Sequence, residues 1–262
     1  MFDIDDSDIL LKSVQAWFTE HMPAVRTVYK PISSVYTSQY DVGKFDVTVA
    51  PGSIAWLSFP FDIQAGCTVL SEWFGRQLDA RNYSGFNFPS LQKQNGPGGS
   101  IQNADYYIDN FGAGDTNWFP NSTVAANAGY VLFLPQNHPG VKVTGIGMVQ
   151  TNNVTMEMPY NSIPWVGLAY PVCLDMRLSG LADLFFPAKP YSQFDYDFIV
   201  SQMAPGGPVS YAEYFIDDWG GGTTNFFPSQ AGADKLEGGR GYLVFFGTVR
   251  TGTGTWNYTK PY

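Results

Sequence analysis

The chain reads as all-β: two tandem homologous units, each a β-sandwich or barrel-like module, behind a short N-terminal helical arm. Three observations predict this class. Ala104–Pro120 aligns without gaps on Ala212–Pro228, ten of the seventeen columns being identical and most others like for like. Strand-forming triplets alternate with Gly and Pro turn signals at intervals of roughly ten residues, the spacing of sandwiches and barrels. No long apolar stripe at helical period runs through either copy, which argues against βαβ topology.

The arm comes first, over residues 1–45. Asp5, Asp6, Ser7 and Asp8 supply a cap and favourable charge at the start of a helix over 7–20. Leu10, Val14, Trp17 and Phe18 fall at i, i+4, i+7 and i+8, one apolar stripe that Pro23 brings to an end. So short a helix is marginal alone in water. These four side chains are therefore the expected partner-docking residues, against the chain's own body or a neighbouring subunit. Arg26 to Gln39 reads as extended, either a linker or an exchanged strand.

The first unit is placed at 46–150 and the second at 151–262. Ser53-Ile-Ala-Trp56 matches Ser162-Ile-Pro-Trp165, a compact β-run in each copy. In Leu70–Phe74 and Leu181–Phe185 the Leu and Phe stand four apart, on one face of a single helical turn. Tyr106-Tyr-Ile108 and Tyr214-Phe-Ile216 are strand triplets. Gly112-Ala-Gly114 and Gly220-Gly-Gly222 then offer the positive-φ turn of a hairpin. Gly129-Tyr-Val-Leu-Phe133 and Gly241-Tyr-Leu-Val-Phe245 are continuous apolar strands, expected to be central and buried on both faces.

The recurring order is a Trp run, an aromatic-Pro pair (Phe59-Pro60, Tyr170-Pro171), a glycine turn and a Gly-Tyr-aliphatic strand. It resembles the repeated β-modules of phage and bacterial surface structural proteins, over most of both units. The resemblance rests on packing motifs and implies a fold type.

Composition narrows the function. The 14 basic and 23 acidic residues leave a net charge of -9, with no Lys/Arg run. A nucleic-acid partner needs a basic face to neutralise phosphates, so none is expected. No apolar stretch approaches the ~20 residues of a spanning helix, so membrane insertion is not expected either. Charged residues make up 14% of the chain, against about 25% in an average domain, which suits covered or neutral surfaces. The acidic opening Met1-Phe2-Asp3 lacks the basic and apolar start of a secretory signal, which suggests synthesis in a cytoplasm. Cys67 and Cys173 stand at unrelated places in the two copies and read as buried free thiols.

The chemistry of a catalytic site is thinly supplied. Only His21 and His138 could act as imidazole bases, and neither accompanies a nucleophile motif. Two Cys and two His, all scattered, give no transition-metal set, so no metal or cofactor is expected. Asp109 and Asp217 flank the glycine turns and could offer oxygens to calcium, but capping of the turn is the simpler role. A glycan-active hydrolase would need spatially paired carboxylates drawn from Glu72, Glu157, Glu213 and Asp109. Trp118, Phe119, Phe226 and Phe227 follow the glycine turns and are the candidate ligand-stacking residues, with packing in the core as the competing role.

These observations predict a non-enzymatic structural subunit of a larger assembly, a virus or phage component such as a capsid decoration, neck or tail protein. Its partners would be itself and other structural subunits, and its location the virion. The alternative is a carbohydrate- or host-binding β-module of an extracellular or cell-surface adhesion protein, with a glycan as partner.

Overall fold

The computed structural model describes residues 27–29, 35–37, 42–61, 69–74, 77–112, 114–247 and 250–261. The arm residues Leu10, Val14, Trp17 and Phe18, together with His21 and Cys67, lie outside them. Within the arm, β1 (Thr27–Tyr29) and β2 (Val35–Thr37) pair antiparallel with each other, where the sequence suggested a linker or an exchanged strand.

The first unit runs through β3 (Val42–Val49), β4 (Ile54–Ser58), α1 (Leu70–Phe74), β5 (Arg81–Asn82), β6 (Ser90–Gln94), β7 (Ile101–Ile108), β8 (Thr116–Phe119), β9 (Gly129–Phe133) and β10 (Val141–Met148). The second runs through β11 (Val154–Pro159), β12 (Trp165–Gly167), β13 (Cys173–Asp175), α2 (Leu181–Leu184), β14 (Lys189–Pro190), β15 (Asp197–Gln202), β16 (Val209–Asp217), β17 (Thr223–Pro228), β18 (Lys235–Glu237), β19 (Gly241–Phe245) and β20 (Thr253–Tyr258).

Both units share one topology. A curled sheet has the order β4-β9-β6-β7-β5 with β8 on β7, and its counterpart the order β12-β19-β15-β16-β14 with β17 on β16. A two-stranded ladder, β3 with β10 or β11 with β20, forms the second layer. The second unit adds the small ladder of β13 with β18. Two tandem all-β units are therefore what the chain forms.

Strand alternation explains the layers. In β11 Val154, Met156 and Met158 point inward while Thr155 and Glu157 face solvent, and β20 alternates likewise around Trp256 and Tyr258. Each unit has its own apolar core, the first around Phe59, Leu70, Phe74, Trp118 and Tyr130, the second around Tyr170, Leu181, Phe185, Trp256 and Tyr258. The helical turns plug these cores with Leu70, Trp73 and Phe74 or with Leu181 and Leu184. Cys173 is exposed on β13, where a buried thiol was expected, because the next residue, Leu174, turns inward with Leu236 onto the second core and Cys173 therefore points to the opposite face.

The units contact each other reciprocally. The Gln94 carboxamide accepts from the Trp165 N–H at 2.8 Å and donates to the Ile163 carbonyl at 2.8 Å. Gln202, its counterpart, accepts from the Trp56 N–H at 2.9 Å and donates to the Ile54 carbonyl at 2.8 Å. Ser58 N–H donates to Gly239 O and Gly167 N–H to Asn127 O, each at 2.9 Å. When residue i touches j and the equivalent of j touches the equivalent of i, the interface is of the two-fold type. The duplicated chain is a pseudo-dimer folded on itself.

Candidate functional site

The feature that recurs in both units without serving either core is a corner of aromatic rings at the β5 or β14 edge. It begins with a single 3-10 turn, Tyr83–Gly85 or Tyr191–Gln193. Each turn closes on a phenylalanine in the left-handed region, Phe86 at φ 47° and Phe194 at φ 56°, whose N–H donates back to the Tyr83 or Tyr191 carbonyl. A bulky L-residue there is an outlier, and such strain persists only where the surroundings enforce it.

The enforcing contact comes from the neighbouring hairpin turn. Asn110 accepts from the Ser84 N–H at 3.2 Å and donates to its hydroxyl at 3.0 Å. In the second unit Asp218 accepts from both the N–H and the hydroxyl of Ser192. The hairpin turns are themselves capped, Asp109 accepting from Gly112 N–H at 3.0 Å and Asp217 from Gly220 N–H at 2.8 Å. The positive φ falls on Gly114 and on Gly221 and Gly222, one or two positions after the capped glycine.

Ring geometry is the same in both corners. Tyr83 lies 4.7 Å from Tyr107 at 43°, 5.7 Å from Phe86 at 53° and 6.3 Å from Phe111 at 83°. Tyr191 lies 4.7 Å from Phe215 at 43°, 5.7 Å from Phe194 at 53° and 5.3 Å from Trp219 at 84°. The two outermost rings of each corner stand in solvent: Phe86 is 78% exposed and Phe111 75%, Phe194 69% and Trp219 72%.

The surrounding field is acidic. Burial, Tyr83 and the carboxylates of Asp109 and Asp105 all push the Tyr107 hydroxyl above its ordinary pKa. Burial first, then the charge and hydrogen bond of Glu213, push Tyr196 up to about 12. Burial likewise raises the Glu213 carboxyl. Arg81 sits on the edge strand of the first corner and is engaged by Asp79 at 2.8 Å; Lys189 holds the equivalent position in the second.

The four candidate stacking residues divide by strand parity. Trp118 and Phe226 are 1% and 4% exposed and pack in the cores against Tyr106 and Tyr214, so neither offers a ring face to a ligand. Phe119 and Phe227 lie on the outer face, stacked on Tyr107 at 4.3 Å and on Phe215 at 4.0 Å, and form the floor of the corners. The exposed rings themselves, Phe86, Phe111, Phe194 and Trp219, were not among the expected residues. Their signal was present: Tyr83-Ser-Gly-Phe86-Asn-Phe88 recurs as Tyr191-Ser-Gln-Phe194-Asp-Tyr196 at the same offset as the longer repeat.

The remaining candidates have local roles. His138 is buried, its ring nitrogens within 3.3 Å of Asp79 N–H and 3.2 Å of Gly140 N–H, and burial pushes its pKa down. Glu72 accepts from Val69 N–H and Glu157 from the Thr255 hydroxyl, each at 3.0 Å. Among the described residues no group of three or more His, Cys, Asp or Glu is placed to hold a metal ion, and no helix is long and apolar enough to cross a membrane.

No protein-family model, curated protein or solved structure matches the chain.

Proposed function

We propose that the chain is a non-enzymatic structural subunit of a larger assembly, and that its paired aromatic corners are the contact points. The observation that carries this reading is the strained, exposed phenylalanine kept in both units. An αL residue without Cβ strain would fold more easily, and a ring 78% or 69% exposed adds little to a core. Folding alone does not account for Phe86 and Phe194; a partner that covers them does. Exposed apolar surface rimmed by polar groups is the usual mark of such a contact.

Within this class a virus or phage particle is the assembly we favour, as a capsid decoration, neck or tail component, which would locate the chain in the virion. The low charge, the scarcity of histidine and the apolar stripe Leu10, Val14, Trp17 and Phe18 support that choice. A second reading, a carbohydrate- or host-binding surface module, draws on the exposure of Trp219, since indole faces stack on sugars.

Sedimentation velocity across concentration tests the proposal. The wild-type chain is expected to form larger species. The variant Phe86→Ser, Phe111→Ser, Phe194→Ser, Trp219→Ser is expected to remain monomeric with an unchanged circular-dichroism spectrum. A wild-type chain that stays monomeric at high concentration, or a variant that associates as before, overturns it.

A further inference from the structure

The chemistry of the corners says what kind of group they take. In each, the outer rings meet the central tyrosine at steep angles, 83° for Phe111 on Tyr83 and 84° for Trp219 on Tyr191. That is ordinary edge-to-face packing, and it leaves the outer rings Phe86, Phe111, Phe194 and Trp219 largely in solvent, open to a partner. The negative faces of aromatic rings attract a cation, and neighbouring carboxylates add to that attraction. Asp105 and Asp109 flank the first corner, Glu213, Asp217 and Asp218 the second, and the chain as a whole carries -9. On the edge strands, Arg81 of the first corner is occupied by Asp79 and by the Asn137 carbonyl, and Lys189 at the equivalent place in the second is outnumbered by the carboxylates of Glu213, Asp217 and Asp218.

We propose that each aromatic corner receives an arginine side chain from a partner protein surface, the guanidinium lying against the Phe86–Phe111 rings in one unit and the Phe194–Trp219 rings in the other. The inference deepens the assembly reading and rests on it. Arginine fits better than lysine because its planar, weakly hydrated head stacks on rings and its donors reach flanking carboxylates. Two corners on one rigid chain also favour a partner that presents two such side chains, since the second contact becomes intramolecular.

The test uses the full chain and the peptide Ac-Gly-Arg-Gly-Arg-Gly-NH2, titrated while the Trp219 indole N–H is followed by NMR. Its comparison is the same peptide with citrulline in place of arginine, which keeps the shape and loses the charge. Saturable binding is expected that weakens with salt, with citrulline raising Kd about tenfold or more. Phe194→Ala removes a ring from the second corner but keeps the Trp219 reporter, and should raise Kd about fivefold, the loss of one such contact. Asp105→Asn with Glu213→Gln preserves the rings and should weaken binding and flatten its salt dependence. Equal affinity for the citrulline peptide, absence of any Trp219 shift, or displacement by a neutral oligosaccharide each overturns the inference. If the four-serine variant loses assembly while arginine and citrulline bind alike, the assembly reading stands and the arginine assignment alone falls.

Discussion

At the scale of single residues, the instructive contrast is between adjacent aromatics. Trp118 and Phe119 are neighbours in β8, yet one is core and the other outer face, because successive strand side chains point to opposite sides of the sheet. The sequence shows an aromatic pair in each copy but not its parity, which is set by the register of β7 against β8. Phe86 and Phe194 pose the reverse case. Relief of an αL residue is worth roughly 1–2 kcal/mol, and the entropy of glycine in the unfolded chain returns roughly 0.5–1. Phe86→Gly with Phe194→Gly is therefore expected to leave stability unchanged or raise it by up to about 1 kcal/mol per site, read from denaturant midpoints, while association is lost. A loss of stability beyond about 2 kcal/mol would show that these rings belong to the fold, since scattered exposed side chains rarely contribute so much.

At the scale of elements, the repeated Gly-Tyr pair is explained by where β9 and β19 sit. Both strands are central in their sheets, but burial on both faces is only partial. Tyr130, Leu132, Tyr242 and Val244 are in the cores, whereas Phe133, Leu243 and Phe245 are half-buried, and the cover over the glycines is the other unit. A Cβ on Gly129 would lie 2.9 Å from the Val166 backbone, and one on Gly241 2.7 Å from the Leu57 carbonyl. The tyrosines tie each strand to the segment before it: the Tyr130 hydroxyl accepts from Ala125 N–H in the preceding loop at 2.7 Å, and the Tyr242 hydroxyl from Glu237 N–H at the end of β18 at 2.6 Å. Burial pushes both phenols well above their ordinary pKa. Gly129→Val is expected to cost about 1–3 kcal/mol or more, since backbone on the far side cannot give way as a side chain would. Gly96→Val serves as the contrast: its positive φ of 82° adds a backbone strain that Gly129 lacks, but its Cβ would meet open space. If Gly129→Val is the milder of the two in urea unfolding, close approach is not why the glycine is there.

At the scale of the whole molecule, the reciprocal clasp of Gln94 and Gln202 makes two units behave as one body. Each carboxamide satisfies a backbone N–H and a carbonyl on the other unit, and leaving such groups unpaired costs roughly 1–3 kcal/mol apiece. A protease site inserted between Thr151 and Asn152, in the exposed connection between β10 and β11, is expected to leave the cleaved halves co-eluting on size exclusion. Halves that separate under native conditions would mean that the covalent link, and not the interface, holds the pair. The same rigidity fixes the two aromatic corners relative to each other, which is what a bivalent contact requires.

The sequence by itself determined that the chain is all-β and duplicated, because strand periodicity, turn glycines and an ungapped internal alignment are local and linear signals. It also contained the Tyr-Ser-x-Phe repeat of the corners, although that motif is short and shares its letters with ordinary packing. Only the tertiary structure decided which aromatic faces are in and which are out, that Cys173 is exposed, and that the interface glycines face the opposite unit. Those facts depend on register and on contacts between residues far apart in the chain. A one-residue shift of register turns every side chain of a strand to the other face, and nothing in the linear order of residues fixes that shift until the sheets pair.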